Sequence, residues 1–300
     1  MNSRSAWLVL CLWAMPALLR GQDQTPPPGP PPEAPASPPS PAAPPKPKYT
    51  PSIVDTGNGA SIEPMYWLTR GQPVLRRGDD NNNTINTPGD LNYPGRLGRA
   101  PEGMVTIPIG RNDSVHVSYF QTQMTGTTTA SQNLNFFNVA VTQGDPLAAR
   151  LKVSSYKASY EFLTYFWERP KGDLRLKTLW EMQYVSVDNT IDDFVPQSDG
   201  TFLSNPAGAT KSIFLPTFGL ALDQSMGEHF RWEVKGSGFG LPHRSILGDA
   251  EADIALRYGR VEFVAGGRTL HFRTTRRADH YDAGTLYGPY VGVRLYWRKK

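Results

Sequence analysis

The chain has 300 residues, a formal net charge of +4 and a mean hydropathy of −0.44. That length suits one large domain with accessory segments, and the hydropathy is too polar for a bundle of membrane helices. The charge is mild and no basic cluster interleaves with aromatic residues, so nucleic acid is not an expected partner.

The first segment, residues 1–21, reads as a cleaved signal peptide: Arg4 opens it, an apolar stretch runs from Ala6 to Leu19, and small Gly21 offers a cleavage point before Gln22. The apolar stretch, about 14 residues, falls short of the roughly 20 that a spanning helix needs. Cys11, the single cysteine, lies inside this leader behind Leu10, where a lipobox carries a small residue. The mature chain therefore has no internal disulfide and no thiolate metal site. Residues 22–55 form a proline-rich linker, densest between Thr25 and Pro51. Such a segment cannot bury a core and favours extended polyproline II. It is expected to be a disordered spacer, or a tether to cell wall or to a periplasmic protein.

From residue 56 to residue 300 the pattern is alternation, the mark of strands whose successive side chains face opposite sides. Tyr156, Ala158, Tyr160 and Phe162 oppose Ser155, Lys157, Ser159 and Glu161. Leu174, Leu176, Trp180, Met182 and Tyr184 oppose Arg175, Lys177, Glu181 and Gln183. Phe230, Trp232 and Val234 oppose Arg231, Glu233 and Lys235, and Ala252, Ile254, Leu256 and Tyr258 oppose Glu251, Asp253 and Arg257. Ten strands are predicted near residues 60–69, 102–110, 113–125, 150–168, 172–188, 211–224, 228–239, 247–258, 260–274 and 285–297. The ninth loses phase at Gly266-Gly267, which predicts a bulge, and the second contains Pro108.

Alternation suits a soluble sandwich as well; three further features favour a closed, up-and-down antiparallel transmembrane β-barrel. Tight turns at Arg111-Asn112-Asp113, Arg169-Pro170-Lys171-Gly172, Ser225-Met226-Gly227 and Tyr258-Gly259-Arg260 alternate with longer polar loops near 70–101, 126–149, 189–210, 240–246 and 275–284. Membrane barrels have this asymmetry. Aromatic residues sit near strand ends on the apolar faces, at Tyr66, Phe166, Trp180, Tyr184, Trp232, Tyr258 and Trp297, as interfacial girdles do. The opposite face carries both signs of charge: Lys157, Glu161, Arg175, Lys177, Glu181, Arg231, Glu233, Lys235, Glu251, Asp253 and Arg257. A barrel of about ten strands has a narrow interior, so these charges are expected to pair inside it and plug it.

The last predicted strand, Tyr290-Val291-Gly292-Val293-Arg294-Leu295-Tyr296-Trp297, resembles the β-signal of bacterial outer-membrane barrel proteins, with Tyr290, Gly292, Leu295 and Trp297 in the signal's polar, glycine and two hydrophobic places. The resemblance implies outer-membrane location, contact with outer-membrane lipid and recognition by the barrel-assembly machinery. It departs from the usual pattern in that Arg298-Lys299-Lys300 follow the aromatic residue. With an even number of strands, both chain ends are expected in the periplasm.

No catalytic motif is present, and no cofactor or metal is expected. His116, His229, His243, His271 and His280 lack metal-ligand spacing. Omptin proteases are also ten-stranded barrels, with an aspartate pair and an Asp-His pair. The nearest equivalents here, Asp79-Asp80 and Asp279-His280, are adjacent rather than spaced by one residue, so on an extended segment they point apart. Asp192-Asp193 and the run Asp79-Asp80-Asn81-Asn82-Asn83 offer oxygen ligands but lack calcium-loop spacing. The expected role is structural, interactive or that of a narrow pore. The alternatives are a barrel hydrolase and a soluble secreted β protein with a ligand in its interior.

Overall fold

A computed structural model describes residues 59–297, apart from 72, 78–90, 93–97, 111, 132, 137–138, 170–171, 200, 228, 243 and 278–279. The leader and the proline-rich segment lie outside the described residues, as do Asp79, Asp80, Asp279 and the three residues after Trp297. No helix among the described residues is long and apolar enough to cross a membrane.

Ten strands form the ring: β1 (Ser61–Gly71), β4 (Gly98–Pro108), β5 (Asp113–Thr129), β8 (Pro146–Trp167), β9 (Leu174–Pro196), β10 (Phe202–Met226), β11 (Phe230–Gly240), β12 (Ile246–Tyr258), β13 (Val261–Arg273) and β14 (His280–Tyr296). Each pairs antiparallel with the next, and β14 pairs with β1 from Ser61↔Tyr296 to Gly71↔Leu286, so no edge is left open. Closure is what lipid demands, since no water there satisfies a free strand edge. The short strands β2 (Val74–Arg77) and β3 (Leu91–Asn92) extend the sheet beyond β14, and β6 (Leu134–Phe136) pairs with β7 (Val139–Val141) in a separate hairpin.

The ring closes with a stagger. Paired inward residues run from Gly71 through Leu286, Leu270, Asp249, Ser237, Gly219, Leu179, Glu161 and Ser114 to Pro108, which lies one pair below Ser61↔Thr106. A shear of roughly twelve residues over ten strands tilts the strands by about 40°.

Outward residues of the half of the ring nearer the tight turns are apolar and exposed: Ile62, Val105, Val117, Tyr160, Trp180, Leu220, Val234, Ile254, Phe263, Val291 and Leu295. Inward residues at that depth are buried and charged. Toward the other end both faces change character. Leu151, Val153, Val185, Val187, Ile213, Leu247, Leu270, Phe272 and Leu286 form a buried apolar core inside the ring, while Lys152, Ser154, Ser186, Asp188, Thr210, Ser212 and His271 face out. The ring is thus an inverted protein within the apolar belt and an ordinary one above it.

This change of polarity explains two departures from the sequence expectations. Residues 189–210 are not a loop: β9 and β10 continue as a hairpin to the turn at 197–201, closed by a hydrogen bond from the Gln197 amide to the Thr201 carbonyl. Outside lipid the outward face needs no apolar residues, so the alternation is of opposite sense. The connection expected at 240–246 falls in that place, between β11 ending at Gly240 and β12 beginning at Ile246, and the Leu241 amide donates to the Ser245 carbonyl across it. The bulge expected at Gly266-Gly267 is absent, because β13 keeps unbroken register with β12 and β14; the phase seemed to slip because the inward residues turn from Glu262 to Leu270 and Phe272.

The bulge instead lies in β8, between Leu163 and Tyr165. Thr164 is the extra residue, and its hydroxyl meets that of Thr178 at 2.6 Å. Beyond it Tyr165 and Trp167 face outward, and Phe166 pairs with inward Arg175, which corrects the expected outward placement of Phe166. Pro108 is the last residue of β4, at the turn, where a missing amide costs the ladder little.

Candidate functional site: the interior charge cluster and the closing strand

Successive strands in register bring alternate residues to the ring's interior, and the tilt lets charges from non-neighbouring strands meet. At the depth of the apolar belt Lys157, Glu161, Arg175, Lys177, Glu181, Arg231, Glu233, Lys235, Glu251, Asp253 and Arg257 all occupy inward positions. They meet further charges at Glu63, Glu102, Asp223, Asp249, Glu262, Arg268 and Arg294. Glu63 and Glu102 went unread because β1 and β4 each place a single acid on a face otherwise polar or apolar.

The cluster is layered. Nearest the tight turns, Arg294 reaches Glu63 on β1 and Glu262 on β13, at 2.5 and 2.9 Å. Arg231 lies 3.6 Å from Glu262 and 3.8 Å from Glu233, and Arg175 binds Asp223 through Nε and Nη2. Arg257 is set aside, with its guanidinium 4.1 Å over the Tyr296 ring. In the next layer Lys177 is shared by Glu161, Asp223 and Glu233, at 3.3 to 3.5 Å. His116 Nε2 lies 3.4 Å from Glu161. Lys235 meets Glu251 at 2.9 Å.

The uppermost charged layer crosses the bore. Lys157 on β8 reaches Asp249 on β12 at 3.0 Å and Glu181 at 3.7 Å. Arg268 on β13 donates to both oxygens of Glu102 on β4 and to both oxygens of Asp249, at 2.7 to 3.1 Å. Its guanidinium lies 5.3 Å from the Trp67 ring and 5.0 Å from the Phe120 ring, which pack edge to face with one another. Arg268 therefore marks the boundary between the charged interior and the apolar one. The cavity left among these groups, lined by Glu63, Lys157, Glu181, Lys235, Asp253 and Tyr290 among others, has a volume of about 20 Å³, room for about one water molecule.

The closing strand carries the four residues of the suspected assembly signal. Tyr290 points inward, and its hydroxyl donates to Asp253 Oδ2 at 3.0 Å. Gly292 sits against β1, where a Cβ would lie 2.6 Å from Met65 Cγ. Leu295 and Trp297 face outward and are exposed; the Trp297 amide donates to the Ala60 carbonyl.

The remaining candidates do not assemble into a site. Asp192 and Asp193 alternate across β9, and the Asp192 carboxylate accepts the Ser204 hydroxyl. No group of three metal-ligating side chains occurs among the described residues. Asp79, Asp80 and Asp279 of the omptin-like pairs lie outside them.

Solved structures similar to this one are outer-membrane barrels. The outer membrane protease OmpT from Escherichia coli matches over 81% of this chain and 98% of its own, at 8% identity and a TM-score of 0.50. Ail, the attachment invasion locus protein of Yersinia pestis, matches over 79% and 99%, at 10% identity and a TM-score of 0.32. The translocator domain of autotransporter NalP from Neisseria meningitidis matches over 80% and 88%, at 9% identity and a TM-score of 0.30. No family model and no curated protein sequence matches the chain. The chain has the fold of an outer-membrane β-barrel, and its likeness to OmpT is one of fold.

Proposed function

We propose that the protein is a closed barrel with a structural or interaction role, exercised at its two ends and on its outer wall rather than through its bore. The observation that carries this reading is the cross-bore bonding of Arg268 with Glu102 and Asp249 and of Lys157 with Asp249. Charges so placed fill the interior of a narrow ring, whereas an aqueous channel is reached at about 16 strands. An unpaired charge there is costly, so the network resists opening.

In this reading the tight-turn end faces the periplasm, together with the proline-rich residues 22–55, which act as a spacer or as a tether to cell wall or a periplasmic protein. The barrel-assembly machinery recognises the strand that carries Tyr290, Gly292, Leu295 and Trp297. Planar-bilayer recording tests the closed bore. The wild-type protein should show at most a small conductance, and Lys157→Ser combined with Arg268→Ser should raise it. A large, stable wild-type conductance would overturn the reading and make the chain a porin.

A further inference from the structure

The interior cations named above lie against carboxylates or, for Arg257, a tyrosine ring. Four cations on the outer wall are different. Arg70 on β1, Arg99 on β4, and Arg150 and Lys152 on β8 face outward just above the apolar belt, and none has an ion-pair or hydrogen-bond partner among the described residues. They are neighbours by register. Arg99 pairs with Gln123, and Gln123 with Lys152; Arg150 pairs with Thr125, two residues further along. Arg70 lies two residues beyond Leu68, the partner of Arg99. The nearest acid along that row, Asp188 opposite Lys152, is engaged by the Thr210 hydroxyl at 3.1 Å.

Directly below them runs a row of exposed tyrosines. Tyr119, Tyr156 and Tyr184 occupy paired positions on β5, β8 and β9, with ring centroids 4.5 and 6.2 Å apart, and Tyr66 stands on β1. Tyrosine rings in such a row mark the depth at which hydrocarbon gives way to headgroups. The four cations are therefore held at headgroup depth without an ion pair among the described residues, and the one facing acid, Asp188 across from Lys152, makes its hydrogen bond to Thr210.

We propose that Arg70, Arg99, Arg150 and Lys152 form a docking surface for the phosphate groups of a membrane lipid in the leaflet at the wider-loop end of the barrel. The guanidinium forks suit phosphate oxygens, which they bind with paired hydrogen bonds. The proposal rests on the orientation given above only for which leaflet supplies the lipid; the surface itself follows from register and charge.

The test uses the refolded full-length chain in zwitterionic detergent, titrated with diphosphorylated lipid A and followed by native mass spectrometry. Arms with dephosphorylated lipid A and with inorganic phosphate separate lipid from ion. The phosphorylated lipid should bind in preference to the dephosphorylated form, with affinity falling as salt is raised. Arg99→Ser and Lys152→Ser should each weaken binding roughly fivefold, the effect of one cation near a charged surface. Equal binding of the two lipid forms, unchanged affinity in the variants, or full competition by inorganic phosphate would each overturn the proposal. Conductance tests the closed bore independently, so a conducting barrel that still binds the lipid in this way would refute that reading and support this one.

Discussion

Arg268 and Glu102 are 166 positions apart in the chain and meet inside the ring, with guanidinium Nη1 at 2.7 and 2.8 Å from the two carboxylate oxygens. Their strands are not neighbours, so the contact requires a closed barrel of this width. Arg268→Ala should leave Glu102 and Asp249 buried without their cation, at a cost of about 3–5 kcal/mol. Arg268→Met with Glu102→Gln should recover part of it. Urea unfolding of the barrel in lipid vesicles measures both; equal stability of Arg268→Ala and wild type would show that the pair contributes nothing.

The outer wall should respond to charge according to depth. Tyr160→Lys and Leu220→Arg place a cation in the apolar belt and should cost about 2–4 kcal/mol near its middle. Ser212→Arg, on the same face of β10 but above the belt, should cost well under 1 kcal/mol. The same unfolding assay compares them, and equal costs would mean that the belt has been placed at the wrong height.

Gly288 secures the seam between the first and last strands. Its φ is +155°, a Cβ there would lie 2.0 Å from the Leu68 carbonyl oxygen, and its own carbonyl accepts the Trp67 indole at 3.1 Å. Gly288→Ala should force β14 away from β1 at a cost of order 1–3 kcal/mol. The loss should show as earlier unfolding in heat-modifiable gel migration; an unshifted transition would mean that the seam relaxes freely.

Trp297 makes an unusual assembly variant because its ring faces outward and is 55% exposed. Trp297→Ala removes little packing within the protein, while its amide bond to Ala60 stays available. The variant should therefore accumulate as protease-sensitive, unassembled chain in cells, yet refold in vitro with near-normal stability. Normal assembly kinetics in cells would remove Trp297 from the signal.

The strands of the barrel were legible because residues such as Tyr156, Tyr160 and Phe162 alternate with Lys157, Ser159 and Glu161 over a whole membrane crossing. Legibility failed where the surroundings change. Thr190, Asp192, Ser204 and Gly208 read as loop because a strand outside lipid has no need of an apolar outward face. At the β8 bulge a signal was present, since outward aromatics pass from even positions at Tyr160 and Phe162 to odd ones at Tyr165 and Trp167. The meeting of Glu102 with Arg268, or of Lys157 with Asp249, depends on the stagger of ring closure, a global quantity that no local window contains.

The depth at which the two faces exchange polarity acts as a waterline. Sliding the ring outward by one residue pair per strand would lift Tyr119, Tyr156 and Tyr184 into water; sliding it inward would carry Ser154, Ser186 and Ser212 into oil. Either displacement is opposed on every strand at once, so the barrel floats at one draught. Whatever grips one rim of the barrel pulls against the whole hull rather than against a single stave.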